Sequence, residues 1–461
     1  MARGKKKETL TPEERLQAAL VPVSEQPYPV PENWCWTRME NIAQWGSGGT
    51  PSRKIPEYYN GDIPWIKTGE LNDDYIFETE EHITEEAISH SSAKLFPVNT
   101  VAIAMYGATI GKVGILGVAA TTNQACACGV SNSLANYKYL FYYARSQKDN
   151  FIKKGKGGAQ PNISQEIIKS HEFPLPPLSE QHRIVDRIES LFAKLDEARQ
   201  KAQDALDSFE TRKAAILHRA FTGELTAQWR KERDVGMESW DNTTLSKIVI
   251  GFKYGISEKS DYSYKGMPVF RIPNITDDGL SFEDLKFLSH KDISDENQIH
   301  ENDILIVRSN GSRELVGKSV LVPQLDREYA YASFLIRIQL LESVVPNYLV
   351  MYLNSTDARM QMFKKAKSSA GINNINSKEL GAILINLPSF SEQAEIVRIL
   401  DNLLAKEQQA KEAAEGVLEQ IDLIKKAILA RAFRGELGTN DPSEESAVEL
   451  LKRAIERGEK A

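Results

Sequence analysis

The most regular pattern of hydrophobic and polar residues is a run in which apolar positions recur at alternating steps of about four and three. The run occurs twice, within residues 176–225 and again within 388–437. Sustained over several heptads, this spacing predicts a long helix with the apolar seam typical of a coiled coil. The seam positions are Ile184, Ile188, Leu191, Leu195, Phe209 and Ile216 in the first run and Ile396, Leu400, Leu403, Ile421, Ile424 and Ile428 in the second.

The two runs are copies of one sequence. A shift of 212 residues places Ser179 on Ser391 and Leu225 on Leu437 without a gap. Each copy starts after prolines with Ser-Glu-Gln, whose serine is expected to cap the helix, and ends in Phe-x-Gly-Glu-Leu, whose glycine is expected at the C-terminal cap. The repeat predicts two half-molecules in tandem. The alternative is two unrelated amphipathic helices, although a rod of about 60 Å, at 1.5 Å per residue, is too long for one small domain to cover.

A block of mixed α/β character precedes each helical run. In the first block, Thr100–Tyr106 and Lys112–Val118 have the alternation of strands. Asn136–Ser146 has the periodicity of a helix whose Tyr and Phe stripe is expected in the core. The second block follows the same plan with a diverged sequence, in which residues 301–321 correspond to 99–116. Similar scaffolds with different loops suit the recognition of two different targets.

The predicted fold class is therefore α/β plus long helices. Two globular α/β domains in tandem are separated by two long antiparallel coiled-coil helices with pseudo-twofold symmetry. An N-terminal extension, either mobile or docked, contains a capping box at Thr11–Glu14. A C-terminal tail carries Val448, Leu451 and Ile455 on one face, and docking of this tail on the extension is one alternative. The predicted divisions are 1–35 (extension), 36–175 (first α/β domain), 176–226 (first helical spacer), 227–239 (linker), 240–387 (second α/β domain), 388–438 (second helical spacer) and 439–461 (tail).

Composition narrows the class of protein. A chain of 461 residues with 41% hydrophobic residues can bury several cores. No transmembrane-length apolar run or signal peptide is recognisable. Cys35, Cys126 and Cys128 are too few for a disulfide framework and lack zinc spacing, so buried free thiols of a reduced, cytoplasmic protein are expected. A net charge of -7 argues against coating nucleic acid by charge alone, but it is compatible with localised basic loops that read sequence.

Catalytic motifs are not found. Gly311–Ser319 resembles a phosphate loop, but five residues separate its glycines where the motif has four. There is no dinucleotide-binding glycine fingerprint and no HExxH, and Asn386–Phe390 is not the Asn/Asp-Pro-Pro-aromatic motif of amino-methyltransferases. We therefore expect a non-catalytic chain that binds no cofactor or metal itself. Two alternatives stay open: a stand-alone nucleotide- or methyl-transfer enzyme, and a coiled-coil scaffold or interaction protein whose α/β blocks do not bind DNA.

A set of short motifs occurs in the same order in both halves. They are Trp36 with Ile42, Gly48–Ser52, Tyr59–Ile66, Asn162–Ser164, Pro174–Gln181 and Phe221–Leu225, then Trp240, Asn374–Asn376, Leu387–Gln393 and Phe433–Leu437. From about residue 30 to 438, this layout resembles the DNA specificity (S, HsdS) subunit of Type I restriction-modification enzymes.

The resemblance implies that each block is a target recognition domain reading one half of a bipartite, asymmetric site in double-stranded DNA, with the coiled coil setting the spacing. Two methyltransferase (M) subunits would dock on it for adenine N6 methylation, and restriction/translocase (R) subunits would add ATP-dependent cleavage. S-adenosylmethionine, ATP and Mg would be bound by those partners, and no membrane is involved.

Side chains that recognise bases are hydrogen-bond donors and planar groups on loops. Arginine typically binds guanine in this way, and asparagine or glutamine binds adenine. First-block candidates are Ser47, Thr50, Ser52, Arg53, Lys67, Tyr106, Thr109, Lys112, Gln160 and Asn162. Second-block candidates are Lys253, Tyr254, Arg308, Ser309, Asn310, Ser312, Arg313, Lys318, Asn373 and Asn374. Candidates for phosphate contacts, which position without specifying, are Lys153, Lys154, Lys156, Lys364, Lys365 and Lys367. The alternative for each residue is a solvated or structural polar group, and Asn162 in particular fits a turn.

Overall fold

A computed structural model describes residues 11–155, 162–369 and 371–457. The chain divides into two compact units, one within residues 1–201 and 417–461 and the other within 202–416. Each unit therefore combines one globular block with part of each long helical run. No helix in the described part of the chain is long and apolar enough to cross a membrane.

Six short helices and ten strands are found in the described residues of the N-terminal extension and first block. The helices are α1 (Pro12–Ala19), α2 (Met39–Ile42), α3 (Glu85–Ser89), α4 (Tyr137–Ser146), α5 (Lys148–Lys154) and α6 (Gln165–Lys169). The strands are β1 (Cys35–Arg38), β2 (Ala43–Ser47), β3 (Tyr59–Ile66), β4 (Tyr75–Ile76), β5 (His82–Ile83), β6 (Val101–Ala104), β7 (Val113–Leu116), β8 (Thr121–Thr122), β9 (Cys126–Ser131) and β10 (Glu172–Leu175). They form sheets in the orders β2-β9-β6-β7-β4, β5-β3-β8 and β1-β10.

The predicted elements of this block are confirmed. Strands β6 and β7 lie within the two alternating stretches and pair antiparallel. Both are buried along their whole length, because α4 covers one face of their sheet. Asn136 caps α4 by accepting from the backbone amide of Lys138 at 2.8 Å, and the Tyr and Phe stripe lies in the core as expected. The three cysteines are buried and free, and burial raises the pKa of Cys35 and of Cys128 to about 12.

The first helical run forms α7 (Leu178–Asp207) and α8 (Phe209–Phe221) instead of one unbroken helix. The break is Ser208, whose hydroxyl donates to the carbonyls of Asp204 at 2.7 Å and Ala205 at 3.2 Å. A serine side chain that bonds back to the preceding turn competes with the helix backbone and bends it.

Between the two helical runs, residues 226–369 and 371–389 contain four helices and twelve strands. The helices are α9 (Ala227–Glu232), α10 (Pro346–Leu353), α11 (Thr356–Lys365) and α12 (Ser377–Gly381). The strands are β11 (Asp241–Thr244), β12 (Val249–Tyr254), β13 (Pro268–Phe270), β14 (Lys286–Phe287), β15 (Ile304–Val307), β16 (Ser309–Asn310), β17 (Ser319–Leu321), β18 (Ala330–Tyr331), β19 (Leu335–Leu340), β20 (Lys367–Ser369), β21 (Ile372–Asn374) and β22 (Leu384–Leu387). The sheet orders are β12-β19-β15-β17, β14-β13-β18, β16-β21-β20 and β11-β22.

The second helical run is one continuous helix, α13 (Phe390–Ala432), of 43 residues. The counterpart of Ser208 under the 212-residue shift is Gln420, whose longer side chain makes no such local bond to the helix backbone, and here the helix is unbroken. The predicted serine caps are wrong in both copies, since Ser179 and Ser391 are the second residues of α7 and α13. In the second copy the capping hydroxyl belongs to Ser389, which accepts from the amide of Glu392 at 3.4 Å.

The glycine caps at the other end are confirmed. Gly223 and Gly435 have φ values of 79° and 74°. The following glutamate amides, of Glu224 and Glu436, each donate to a carbonyl five residues back at 2.9 Å. This is the hydrogen-bond pattern of a Schellman motif, which needs a left-handed residue and so favours glycine. An added Cβ at Gly435 would also lie 2.4 Å from Pro31.

Within each unit the two helical runs pack antiparallel. In the first unit, Lys425 pairs with Asp196 at 2.5 Å, and Arg199, one turn further along α7, pairs with Asp422. In the second unit, Lys411 lies over the ring of Phe209 at 5.0 Å and Arg212 pairs with Glu407 at 2.8 Å. In both, residue numbers rise along one helix as they fall along the other.

The seam positions are placed as follows. Buried members are Ile184, Ile188, Phe209, Ile396, Leu400 and Ile421, and half-buried members are Leu191, Leu195, Ile216, Leu403 and Ile428. Ile424 is 42% exposed, so its assignment to the seam is wrong. The next residue, Lys425, is the one that meets the partner helix, through its ion pair with Asp196.

The terminal segments dock on each other in the first unit. The capping box of α1 is confirmed, with Thr11 and Glu14 bonded reciprocally. The tail forms α14 (Ala447–Glu456), whose buried Leu451 and Ile455 join α1 in one core cluster. The amide of Ala447 also donates to the carbonyl of Asn33 at 2.9 Å. The open alternative is thus decided in favour of docking.

Candidate nucleic-acid interface

The repeated Ser-Glu-Gln motif attaches each helix to its α/β block. Gln181 donates to the carbonyls of Leu134 at 2.9 Å and Pro176 at 3.1 Å, and it accepts from the amide of Asn136 at 2.8 Å. Gln393 repeats the arrangement with the carbonyls of Ser343 and Pro388 and the amide of Val345. Both glutamines are buried, so the start of α4 and of α10 is set by a side chain of the following helix.

The glutamate of the motif is also buried, at 0% exposure in both copies. In the second unit, Glu392 accepts from Thr226 at 2.7 Å, from Arg230 at 2.6 Å and from the indole of Trp240 at 3.0 Å. Thr226 directly follows the first Gly-Glu-Leu. The end of one helical run is therefore bound to the start of the other, and the buried ion pair holds the strand that opens the second block.

The corresponding junction of the first unit is built differently. Glu180 accepts from Thr439 at 3.1 Å, just after the second Gly-Glu-Leu. Its nearest cation, Arg183, lies at 4.0 Å and is bound more closely to Glu444, at 2.8 Å. Burial raises the pKa of Glu180. Trp34 precedes β1 as Trp240 precedes β11, so the counterpart of Trp240 is Trp34 and not Trp36, which the sequence motif singled out.

The phenylalanine of each Phe-x-Gly-Glu-Leu completes the junction. Phe433 packs edge-on against the rings of Tyr139 and Tyr143 in the first unit, with centroids 5.3 and 5.1 Å away. Phe221 packs in the same way against Tyr348 and Tyr352 in the second, at 5.4 and 5.2 Å. Each α/β block is therefore anchored on the start of the helical run that follows it and on the end of the other run.

With this anchoring in place, several candidates of the second block meet in the small sheet β16-β21-β20, here called the polar sheet. Ser309 is opposite Asn374 and Asn310 is opposite Asn373, while Lys367 pairs with Asn374 on the other side. The side-chain amide of Asn373 donates to the backbone carbonyl of Gly311 at 3.1 Å. The side-chain oxygen of Asn374 is buried and accepts no hydrogen bond from a described residue. The polar sheet therefore groups amide side chains, the chemistry that reads base edges.

Two further candidates lie beside the polar sheet. Arg308 immediately precedes β16, and its guanidinium lies over the ring of Tyr254, 4.6 Å from the centroid. Tyr254 is held in turn by Ser377, whose amide donates to the phenol oxygen at 2.9 Å and whose hydroxyl accepts from it at 3.1 Å.

The remaining second-block candidates are mostly engaged elsewhere. Lys253 pairs with Glu296 at 3.1 Å, and Lys367 approaches Glu379 at 3.5 Å. Lys318 pairs with Asp277 at 2.7 Å, in a groove of about 770 Å³ lined by α8, away from the polar sheet. Ser312 and Arg313 lie on the loop after β16, where the Ser312 amide donates to Asn310 and Arg313 donates to the carbonyl of Phe363. Lys364 and Lys365 are the last residues of α11.

In the first block, Arg53 and Lys67 converge on Glu81. Arg53 pairs with it at 2.6 Å and Lys67 at 3.1 Å, and the hydrogen bond from Arg53 lowers the pKa of Glu81. Arg53 also lies over the rings of Tyr59 and Trp65, 4.3 and 5.1 Å from their centroids. An anion or base edge reaching these cations must compete with a carboxylate already in place.

A second first-block group corresponds to the polar sheet. Tyr106, 42% exposed, forms a β-bridge with Asn162, and Thr109 donates to the carbonyl of Tyr106 at 2.8 Å. Lys112 follows Gly111 as Lys318 follows Gly317, and both glycines have positive φ. Lys156 and Gln160 lie outside the described residues.

The other first-block candidates do not join either group. Ser47 ends β2, Thr50 is hydrogen-bonded to Gln124, and Ser52 accepts from the amide of Lys54. Lys153 and Lys154 end α5, where Lys154 lies 3.0 Å from His171 and 3.5 Å from Glu172.

Sequence reasoning missed the supports of these groups. Tyr59 and Trp65 enter the sequence prediction only as part of the motif Tyr59–Ile66, and Glu81 and Ser377 are not among the predicted site residues. The alternation that brings Tyr59 and Trp65 to one face of β3 was a usable signal for the pair. No sequence signal pairs Ser377 with Tyr254, because the residues are far apart in the chain. No cluster of His, Cys, Asp or Glu fit to hold a metal ion occurs within residues 11–155, 162–369 and 371–457.

The duplicated plan can now be compared with known proteins. The family model for the Type I restriction modification DNA specificity domain matches residues 31–205 and, a second time, residues 237–416. The chain belongs to this family. The specificity subunit of the EcoKI Type I restriction enzyme of Escherichia coli K12 is 25% identical over 418 residues, covering 88% of this chain and 90% of the relative. The StySPI specificity subunit of Salmonella potsdam is 23% identical over 423 residues, with the same coverage of both chains.

The fold is shared with solved specificity subunits. The HsdS subunit of Thermoanaerobacter tengcongensis aligns with a TM-score of 0.66 and 20% identity, covering 90% of this chain and 100% of that one. A chain from a structure on complex assembly of the type I R-M system aligns with a TM-score of 0.65 and 21% identity, covering 89% and 100%. The predicted α/β fold with long helices, and the resemblance to Type I specificity subunits, are confirmed.

Proposed function

We propose that this chain is the non-catalytic DNA-reading subunit of a Type I restriction-modification system, and that each unit reads one half of a bipartite, asymmetric site. The main support for this proposal is that the junction between Ser-Glu-Gln and Gly-Glu-Leu occurs twice. The α/β blocks anchored on the two junctions differ in their polar loops. Scaffolds that are alike and loops that differ serve two half-sites of different sequence. The loops supply donors and amides suited to base edges, while the lysines at the ends of α5 and α11 suit phosphates.

The long helices set the spacing between the half-sites in this proposal. At 1.5 Å per residue, the 43 residues of α13 extend about 65 Å. Half-sites one turn of DNA apart are about 34–36 Å from centre to centre, so the helices are long enough. The spacer is then measured by helix length and not by contacts to the intervening bases.

Two methyltransferase subunits are the proposed partners, with restriction/translocase subunits joining them. The two junctions, alike in Gln181 and Gln393 and in Phe433 and Phe221, are consistent with two copies of one partner. S-adenosylmethionine, ATP and Mg belong to those partners, which carry out adenine N6 methylation or ATP-dependent cleavage. Since its substrate is cellular DNA, we place the complex in the cytoplasm.

Binding of duplex DNA by the assembled complex tests the proposal. The chain with its methyltransferase subunits should shift a duplex carrying the bipartite site and release it as salt rises, because phosphate contacts release counterions. A duplex with one half-site scrambled should bind no better than random DNA. Binding without sequence preference would favour a scaffold role, and methyl transfer by the purified chain alone would show an enzyme instead.

A further inference from the structure

Arg308 and Met105 occupy the same place in the two units. The Arg308 amide donates to the carbonyl of Phe334, and its carbonyl accepts from the amide of Ile375, both at 2.9 Å. Met105 makes the same two backbone bonds, to Ala125 and from Ile163, at the same distances. Met105 is buried at 3% exposure, whereas Arg308 is half-buried. One position of a shared scaffold thus carries a thioether in one unit and five N–H donors in the other.

The head group of Arg308 lacks the partners that hold the neighbouring cations. Lys253 and Lys318 have carboxylates at 3.1 and 2.7 Å. No carboxylate of a described residue lies within 4.0 Å of Arg308, and its Nε is buried with no hydrogen-bond acceptor among the described residues. The guanidinium of Arg308 is therefore not committed to a carboxylate of the described residues, unlike the head groups of Lys253 and Lys318.

The guanidinium of Arg308 lies over the ring of Tyr254, with its central carbon 4.6 Å from the ring centroid. A cation stacked on an aromatic face is attracted by the ring quadrupole, and the two hydrogen bonds to Ser377 hold the ring itself. The guanidinium group is planar and presents its N–H donors side by side. It can therefore donate to two acceptors that lie in its plane at a matching separation. Phosphate contacts do not need this, because a flexible lysine satisfies them as a point charge.

We propose that Arg308, stacked on Tyr254 beside the polar sheet, reads a guanine in the half-site of the second unit through the O6 and N7 acceptors of that base. Arginine bidentate to these two atoms is the commonest specific contact in the major groove. The inference rests on the proposed function. It adds that the second half-site contains a G·C pair at the position facing Arg308, which the first unit, with Met105 there, does not read in this way.

The test uses the complex with its methyltransferase subunits, a DNA library randomised at both half-sites, and R308M and R308K as variants. Wild type should require guanine at one position of the second half-site. R308M should lose that preference by roughly 5- to 150-fold, the equivalent of about 1–3 kcal/mol, with the first half-site unchanged. R308K, which keeps the charge but not the fork, should bind nearly as tightly and discriminate less at the same position. If R308M fails to fold, the base preference of R308K alone tests the inference.

Three companion variants separate base reading from structural effects. Y254A should relax the same position as R308M, because Tyr254 is a positioning residue, while Y254F keeps the ring but loses both hydrogen bonds to Ser377 and should relax the preference less than Y254A does. R327M removes another arginine stacked on a tyrosine of this unit, 5.4 Å from the ring of Tyr329, and should leave the base profile unchanged.

Two results would overturn the inference. One is an unchanged guanine preference in both R308M and R308K. The other is a uniform loss of affinity for all sequences with the salt slope reduced by about one, which marks a phosphate contact. If wild type itself selects no sequence, the proposed function fails as well, so the two failures are distinguishable.

Discussion

Glu180 and Glu392 occupy the same position of the repeated Ser-Glu-Gln motif, but their surroundings differ. Both carboxyl groups are fully buried. Glu392 has a buried arginine at 2.6 Å, a threonine and an indole as donors. Glu180 has a threonine, and its second oxygen accepts no hydrogen bond from a described residue. A buried carboxylate is tolerated when it is paired and is costly when it is not.

Glu392→Gln and Glu180→Gln form a matched pair of variants. E392Q should lower the free energy of unfolding of the second unit by about 3–5 kcal/mol, because it leaves Arg230 buried without its counter-charge. E180Q should leave stability nearly unchanged or raise it, since it removes a buried charge whose nearest cation, Arg183, lies 4.0 Å away. Denaturant titration of both variants measures the difference. Equal losses would contradict the account of the two junctions.

The difference in stability between wild type and E180Q should also depend on pH. The pKa of Glu180 is raised by burial, so the folded chain holds this proton more tightly than the unfolded chain does. Ionisation at higher pH therefore costs wild type stability that E180Q does not lose. The advantage of E180Q should be largest near neutral pH and should vanish as pH falls towards about 4.3, the ordinary pKa of a glutamate, where both side chains are neutral. An advantage that grows on acidification would contradict the assignment.

Residue-level contacts were the hardest part to predict from sequence. Arg308, Tyr254 and Asn374 were each selected for their side-chain chemistry, but their meeting depends on strands that are far apart in the chain. The same holds for Arg53 on Glu81. Ser-Glu-Gln was recognised as the start of a helix, while the burial of its glutamate and glutamine depends on Gly-Glu-Leu arriving from the other helical run.

At the scale of elements, the hydrophobic periodicity and the internal repeat predict more of the structure than they do at the scale of single residues. The helices, β6, β7, α4 and both glycine caps follow from local patterns, which is why they were predictable. The serine caps were placed two residues too late, because prolines and Ser389 precede the helices and were not weighed as caps. The break at Ser208 was missed, since the back-bonding of one hydroxyl leaves no trace in the hydrophobic spacing.

Phe433→Ala and Phe221→Ala test the junctions as elements. Each should destabilise its own unit by about 3–5 kcal/mol, because a buried ring packed on two tyrosines is replaced by a cavity. Limited proteolysis should then cleave the affected α/β block first. Leu423→Ala is the control, since Leu423 lies on α13, which ends one residue before Phe433, and is 66% exposed; its effect should stay within about 0.5 kcal/mol. Similar losses in F433A and L423A would argue against a special role for the ring.

At the scale of the whole molecule, sequence alone predicted the tandem plan, because one half is nearly a copy of the other in its helices. The predicted divisions follow the order of the chain, whereas each compact unit takes parts of both helical runs. That division follows from antiparallel pairing, which brings the start of each run to the end of the other.

Helix length can be changed without touching either α/β block. One heptad inserted after Lys201 and another after Gly416 lengthen both runs by about 10 Å, or about three base pairs of DNA. The recognised spacer should grow by that amount, or recognition should be lost, as read from the methylated sites. A control with seven residues substituted and none inserted should keep the original spacer. Recognition of the original spacer by the lengthened chain would refute the helical ruler.

Exchange of one block tests most directly the central claim that the units read independently. Residues 240–387 begin and end at the paired strands β11 and β22, where Asp241 is opposite Leu387, so a related block can be joined at neighbouring positions. The measurement is methylome sequencing of a host that carries the exchanged chain with its methyltransferase subunit. The account predicts that one half-site changes while the other half-site and the spacer stay as in wild type. Change in both half-sites, or in neither, would contradict it.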